Sequence, residues 1–249
     1  FMSHQYDNRF MDYADRSSEY SARVITSRIL SKLPILSVLD VGCAAGTWLR
    51  IWSSIGVNDC HGVDGSYVNR ASLRVPQDWF TPVDLSQPLH LGRTFDLVQS
   101  LEVGEHIPAS AAEVFVESIV RHAGRYLLFS AAPPGQGGEF HINEQPFEFW
   151  RAYFERCGFV PFDWIRPIIA SDAQISFWYR YNVFLYVRRD FVDSLPDDVR
   201  ATEVRSGSAL KDISPPSFKL RKAVIRRLPQ PFQDQLARLK ARLLPTGRF

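Results

Sequence analysis

Val38-Leu39-Asp40-Val41-Gly42-Cys43-Ala44-Ala45-Gly46-Thr47 is the stretch that decides the fold. The apolar run from Ile35 to Val41 lacks polar alternation, so it reads as a strand buried on both faces. Glycines then open a turn, and a helix follows over 46–55. Strand, glycine-rich turn and helix in that order place backbone amides and a helix N-terminus at the carboxyl end of the strand. Gly42 and Gly46 let a ligand approach that backbone without a Cβ in the way. The spacing is GxxxG, not GxGxxG, and no GK[ST] follows. Such a turn suits a cofactor with no pyrophosphate.

Outward from this turn the chain alternates. Residues 1–16 read as a loop or short helix, and Ser17 and Ser18 as caps of a helix reaching about Leu33, where Pro34 ends it. Strands are expected at 59–64, 79–83, 95–100 and Tyr126–Ala131, with a short helix near 66–73 and a longer one from Ala109 to Ala123. A helix from Pro146 to Cys157 stops at Gly158, and strands near 161–166 and 180–188 complete the pattern. Alternation of this kind predicts an α/β fold, a doubly wound and mostly parallel sheet with helices on both faces.

The 249 residues suffice for one large domain with an appendage. Three cysteines, none in a CxxC pair, and no apolar run near membrane-spanning length point to the reducing cytoplasm. The net charge of +2 conceals a division: residues 205–249 carry +9 and the rest −7. We therefore read residues 1–190 as the domain, 191–217 as a linker and 218–249 as a basic amphipathic helical tail. In the tail Phe232, Leu236, Leu239 and Leu243 oppose Arg238, Lys240 and Arg242. Such a helix can rest on an anionic membrane surface, dock on a protein partner or fold back on the body. On this reading, removal of residues 205–249 leaves a folded body. The acidic body argues against nucleic acid as a partner, and nothing in the sequence sets the oligomeric state.

Four segments, in order, resemble the motifs of class I S-adenosylmethionine-dependent methyltransferases. The first is the stretch around Asp40, Gly42, Cys43, Ala44 and Gly46, although many relatives carry further glycines where this chain has Ala44-Ala45. Gly62-Val63-Asp64-Gly65-Ser66 resembles the second, whose acid accepts hydrogen bonds from the ribose; a carboxylate's two oxygens match a diol's two donors. Val83-Asp84-Leu85 resembles the third, where the acid meets the adenine amino group. Phe95 to Ile107, with Ser100 and Leu101 at the strand end, resembles the fourth, near the methyl-bearing sulfonium. The resemblance covers residues 20–190 and implies a Rossmann-like, seven-stranded sheet whose last hairpin is antiparallel. It also implies S-adenosylmethionine as cofactor.

The fourth segment ends in Glu102-Val103-Gly104-Glu105-His106, and His141 follows downstream. If the chain turns helically after the strand, Glu102, Glu105 and His106 share a face. Two carboxylates and two imidazoles suit a divalent cation such as Mg²⁺ or Mn²⁺. The ExxEH segment resembles that of ubiquinone-biosynthesis O-methyltransferases and of small-RNA 2′-O-methyltransferases. Metal-free members of the class also carry a Glu-His pair here, packed under the cofactor or acting as a base. His106, Glu102 and His141 are thus catalytic candidates, and Glu102, Glu105, His106 and His141 a candidate metal set.

The loop from Pro133 to Gln145 should overhang the strand ends. There Glu139, His141, Asn143 and Glu144 either meet a hydroxylated substrate or, for the last two, cap the next helix. Phe147, Phe149, Trp150, Tyr153 and Phe154 read as core. The expected function is methyl transfer to a hydroxyl of a small molecule or glycan. The alternatives are a metal-dependent RNA 2′-O-methyltransferase and a non-catalytic cofactor-binding scaffold in a biosynthetic complex.

Overall fold

In the computed structural model, which describes residues 8–229 together with Phe232 and Gln235, α1 (Asn8–Leu30) leads into β1 (Ser37–Val41), α2 (Thr47–Ser54) and β2 (Asp59–Asp64). There follow β3 (Phe80–Pro82), β4 (Phe95–Leu101), α3 (Ala112–His122), β5 (Ala123–Ser130), α4 (Phe147–Arg156) and β6 (Phe159–Phe162). Then come α5 (Ile165–Ile169), α6 (Phe177–Asn182), β7 (Phe184–Arg188), α7 (Asp197–Arg200) and α8 (Pro216–Ile225). The seven strands form one sheet in the order β3-β2-β1-β4-β5-β7-β6. Strands β1 to β5 pair in parallel, whereas β7 runs antiparallel to both β5 and β6. This is the doubly wound, Rossmann-like sheet expected, antiparallel end included.

Successive strand residues point to opposite faces, so a doubly covered strand feeds two cores at once. Val38, Leu97 and Leu128 join one core with Ile25, Ile29, Leu49 and Trp52 from α1 and α2. Leu39, Val98 and Leu127 join the other with Phe115, Ile119, Trp150 and Phe154 from α3 and α4. Phe147, Trp150 and Phe154 are buried, with Phe149 and Tyr153 packed against them, as core residues should be. The strand order reverses between β1 and β4. Loops leaving the carboxyl ends of those two strands therefore diverge and open a crevice between them.

Several local expectations give way to tertiary packing. Helix α1 starts at Asn8, so Ser17 and Ser18 lie inside it instead of capping it. The Ser18 hydroxyl is hydrogen-bonded to that of Tyr179 at 3.0 Å. The helix expected near 66–73 is a single 3₁₀ turn, Arg70–Ser72, capped by the Asn69 side chain. Two short helices, α5 and α6, lie between β6 and β7, where no helix was expected, and they shorten the strands expected near 161–166 and 180–188.

Residues 191–217 lie on the body. Leu195 and Val199 enter the first core and Leu210 the second. Two buried guanidinium groups hold the irregular backbone there. Arg151 donates to the carbonyls of Val204, Arg205 and Ser208. Arg166 donates to those of Tyr181 and Lys211 while holding Asp163 with both remaining arms. Polar composition suggested a linker because the groups that satisfy this backbone are donors from elsewhere in the chain. Of the expected tail helix, Leu236, Arg238, Leu239, Lys240, Arg242 and Leu243 lie outside the described residues. Among the described residues, no helix is long and apolar enough to cross a membrane.

Candidate active site

The turn after β1 is held by its own backbone. Amides of Gly42 and Cys43 donate to the Val63 carbonyl, and that of Gly46 to the Cys43 carbonyl. Gly42, Ala44 and Gly46 all have left-handed backbone, with φ of 87°, 47° and 83°. A Cβ at Gly42 would lie 2.3 Å from a Val103 methyl, and one at Gly46 2.8 Å from a Val75 methyl. Glycine is therefore required twice over, by φ and by close approach.

Asp64 ends β2 beside this turn. Its carboxylate accepts the Ala44 amide at 2.7 Å, the Gly65 amide at 2.6 Å, and the Tyr67 hydroxyl. Burial raises its pKa while these three donors pull it back. Sequence reading missed Tyr67, whose ring lies across Gly65 and whose hydroxyl sits on the carboxylate as a ribose hydroxyl would. Asp40, deeper in the same crevice, is pushed up to about 7 by burial, with Gln99 opposing and the charge of Asp64 adding to the rise. Trp52 fixes Gln99 by donating its indole N–H to the Gln99 Oε1 at 2.9 Å.

The remaining cofactor candidates differ in their commitments. The Ser100 hydroxyl ties β4 to β1 by donating to the Val41 carbonyl, and Leu101 packs on the core. Asp84 is exposed and accepts from the amide and hydroxyl of Ser86, which shapes the turn that carries Leu85. Cys43 is buried against Gly62. Ser66 follows Gly65 at the exposed rim.

Beyond β4 the helical turn that would align Glu102, Glu105 and His106 does not form. Glu102 is left-handed, with φ of 57°, and only Gly104–His106 makes a 3₁₀ turn. Its carboxylate consequently turns away and accepts from Gln136 Nε2 at 2.8 Å and from Asn182 Nδ2 at 3.2 Å. The three donors that do converge are Glu105, His106 and His141, each with a ligand atom within 4.8 Å of the others. Glu105 is 1% exposed, and its carboxylate meets no side-chain donor, only the backbone amides of Glu105 itself and Ala132. Burial and the nearby Glu102 charge hold its pKa well above the usual carboxylate range.

The imidazoles are oriented by acceptors. His106 Nδ1 donates to the Phe140 carbonyl at 3.2 Å, and His141 Nδ1 to Glu144 Oε1 at 2.8 Å. A carbonyl or carboxylate only accepts, so in each ring Nδ1 carries the donated proton and Nε2 is the nitrogen not engaged by these acceptors. Burial and the neighbouring His141 push His106 down to about 3. Glu144 does not cap α4. It also accepts the amides of Gly135 and Gly137, and so folds the loop that carries His141. Asn143 accepts from the Gln145 side chain, and its backbone amide donates to the Glu105 carbonyl.

Three non-glycine residues among those described have left-handed backbone: Ala44, Glu102 and Phe140. One lies in the turn after β1, one after β4, and one in the loop over the strand ends. Such conformations cost of the order of 1–3 kcal/mol each and gather where function demands them. Comparison with known proteins gives the family: a model described as a methyltransferase domain matches residues 2–162. The chain belongs to that methyltransferase family.

No curated protein matches. Among solved structures this methyltransferase is similar to magnesium protoporphyrin IX methyltransferase from Synechocystis with bound SAH, at 20% identity and a TM-score of 0.50, covering 69% of this chain and 84% of that one. It is also similar to the sugar N-methyltransferase KedS8 from Streptoalloteichus, at 18% identity and a TM-score of 0.50, over 70% and 87% of the two chains. A third is SAM-bound CalS10, an amino pentose methyltransferase from Micromonospora echinaspora, at 15% identity and a TM-score of 0.51, over 76% and 100%. At these identities the likeness is one of fold.

Proposed function

We propose that this methyltransferase transfers the methyl group of S-adenosylmethionine to a hydroxyl of a small molecule or glycan, with Glu105, His106 and His141 forming a divalent-cation site beside it. One observation carries the reading. A buried carboxylate that no side-chain donor reaches lies within 4.8 Å of two imidazoles whose Nδ1 protons are already committed. Burying such an acid is costly unless a cation or proton compensates it. Two neutral imidazoles and a carboxylate are ligands that Mn²⁺ and Mg²⁺ accept, and oriented second partners such as Phe140 and Glu144 are usual for metal-bound histidines.

Bound S-adenosylmethionine supplies an electrophilic methyl carbon on a sulfonium. The residues fit it: the left-handed turn brings the Ala44 amide to the Asp64 carboxylate, which already receives a hydroxyl from Tyr67. Asp40 and Asp64 add negative charge near a cationic ligand. A cation held by Glu105, His106 and His141 would make an adjacent hydroxyl more acidic. Glu102 would stand behind this set with Asn182 and Gln136 and orient the acceptor. An RNA acceptor remains less suited, because the body's charge is acidic.

Two measurements test the reading. Manganese titration followed by electron paramagnetic resonance on chelator-treated protein should show one bound Mn²⁺, lost in Glu105→Gln. Activity removed by EDTA and restored by Mg²⁺ or Mn²⁺ would agree, whereas full activity after thorough chelation excludes the metal. For the cofactor, Asp64→Ala should weaken S-adenosylmethionine binding by about 1.5–3 kcal/mol, the range for hydrogen bonds to a charged group. Asp64→Asn, which keeps the shape of the turn, should lose less. Calorimetry showing unaltered affinity in a folded Asp64→Ala protein would remove Asp64 from the cofactor site.

A further inference from the structure

Helix α8 is seated on the body by one side. Phe218 packs against Phe177 and Tyr181, with ring centroids 5.2 and 5.7 Å apart, and the Lys222 ammonium pairs with Asp212. The Lys222 carbonyl and the Ile225 side chain rest on Gly135 and Gly137, in the loop that carries His141. A helix advances by about 100° per residue, so these contacts fix which side chains point away from the body. They are Leu220, Ala223, Val224 and Arg227, with Lys219 and Arg226 along their edge, and all six are exposed.

The outward face is apolar along its middle and cationic at its edge. Leu220 is 68% and Val224 52% exposed, and Phe232, just past the helix, is 58% exposed. A lone exposed leucine is ordinary, but here large apolar side chains sit one turn apart on a face that nothing in the body covers. Lys219, Arg226 and Arg227 make no ion pair among the described residues. No acid lies on this face, and residues 213–249 hold nine Lys or Arg against one acid, Asp234.

Charge decides what covers such a face. A second copy would set two basic faces against each other, and the chain beyond Pro229 is itself basic, so both are repelled. A nucleic-acid backbone would meet the cations but offer Leu220 and Val224 nothing to bury against, since sequence-tolerant base stacking uses aromatic rings. An anionic bilayer satisfies both features, with negative headgroups above an apolar boundary. We propose that the outward face of α8 docks on an anionic membrane surface, Leu220 and Val224 entering the headgroup region while Lys219, Arg226 and Arg227 contact lipid headgroups. The apolar area is small, so the attraction is mainly electrostatic and docking is reversible. Residues 1–204 sum to −7, which repels the rest of the body from the same surface and makes α8 set the orientation. The inference does not depend on which acceptor is methylated.

The test is co-sedimentation of the full chain with vesicles of phosphatidylcholine alone and of phosphatidylcholine with about one third phosphatidylserine. Binding is expected only to the anionic vesicles. It should weaken at least about tenfold as salt rises from about 0.1 M to about 1 M, where the Debye length falls from about 10 Å to about 3 Å. Reversing three charges together, by Lys219→Glu, Arg226→Glu and Arg227→Glu, should weaken binding about a hundredfold. The pair Leu220→Ser and Val224→Ser should weaken it about tenfold. Both sets change exposed side chains, so the melting temperature and S-adenosylmethionine affinity should stay near those of the wild type. No binding to the anionic vesicles, equal binding to both kinds, or unchanged binding in both variants would overturn the proposal. A loss confined to the charge variant would also overturn it, because a surface that reads charge alone is a general polyanion site. So would a concentration-dependent dimer abolished by Leu220→Ser and Val224→Ser, which would give the face to a second copy of the chain.

Discussion

His106→Ala is expected to lower turnover by about 10²–10⁴-fold while leaving cofactor affinity nearly unchanged. The ring is held by the Phe140 carbonyl and offers a ligand atom within 4.8 Å of those of Glu105 and His141, while the cofactor turn follows β1. A base depressed to about 3 is a weak proton acceptor, so the effect is assigned to a ligand role more than to direct deprotonation. Glu105→Gln separates the two. It keeps volume and removes the charge, so a ligand role predicts loss of Mn²⁺ binding together with a fall in turnover comparable to that of His106→Ala. If Glu105 is only a buried protonated acid, Glu105→Gln is close to neutral, because the amide oxygen can accept from the same backbone amides. Full activity in His106→Ala would defeat both roles and leave positioning as the source of catalysis.

How much of this was legible depends on how local each cause is. The β1 turn was readable because its glycines answer to φ and to contacts that any such turn makes. Asp59–Asp64 was read to the residue because a buried strand ending in an acid is a short local pattern. The grouping of Glu102 with Glu105 and His106 failed for one dihedral angle. A left-handed glutamate costs energy locally and is held there by the amide bonded to Ser130 and by Asn182, some eighty positions downstream. No spacing rule reports such a partner. Phe140, Gln136, Asn182 and Tyr67 were invisible for the same reason: each acts through a contact set by the sheet and loops, and none belongs to a residue type that declares chemistry by itself. The three left-handed non-glycine residues are a signal that only the folded backbone supplies.

The second large effect concerns the segment that composition marks as a linker. Arg166→Met should destabilise the fold by about 3–5 kcal/mol, the usual cost of breaking a buried ion pair by removing one partner. It removes both bonds to Asp163 and the donors to the Tyr181 and Lys211 carbonyls, and it vacates a position 3.8 Å above the Phe184 ring. Against a total stability of about 5–15 kcal/mol for a domain, that loss is a large share. The same bonds decide where the chain can be cut. Removing residues 205–249 takes away the carbonyls of Arg205, Ser208 and Lys211 and the core side chain Leu210, leaving two buried guanidinium groups with fewer acceptors. That truncation should lower the urea midpoint substantially, whereas a chain ending at Pro229 keeps these contacts and α8 and should unfold near the full-length midpoint. Charge division allows a cut at 205, whereas the buried arginines predict a tolerated cut only after α8. Equal midpoints for the two truncations would show that the carbonyl clamps carry no stability, and that composition drew the boundary correctly.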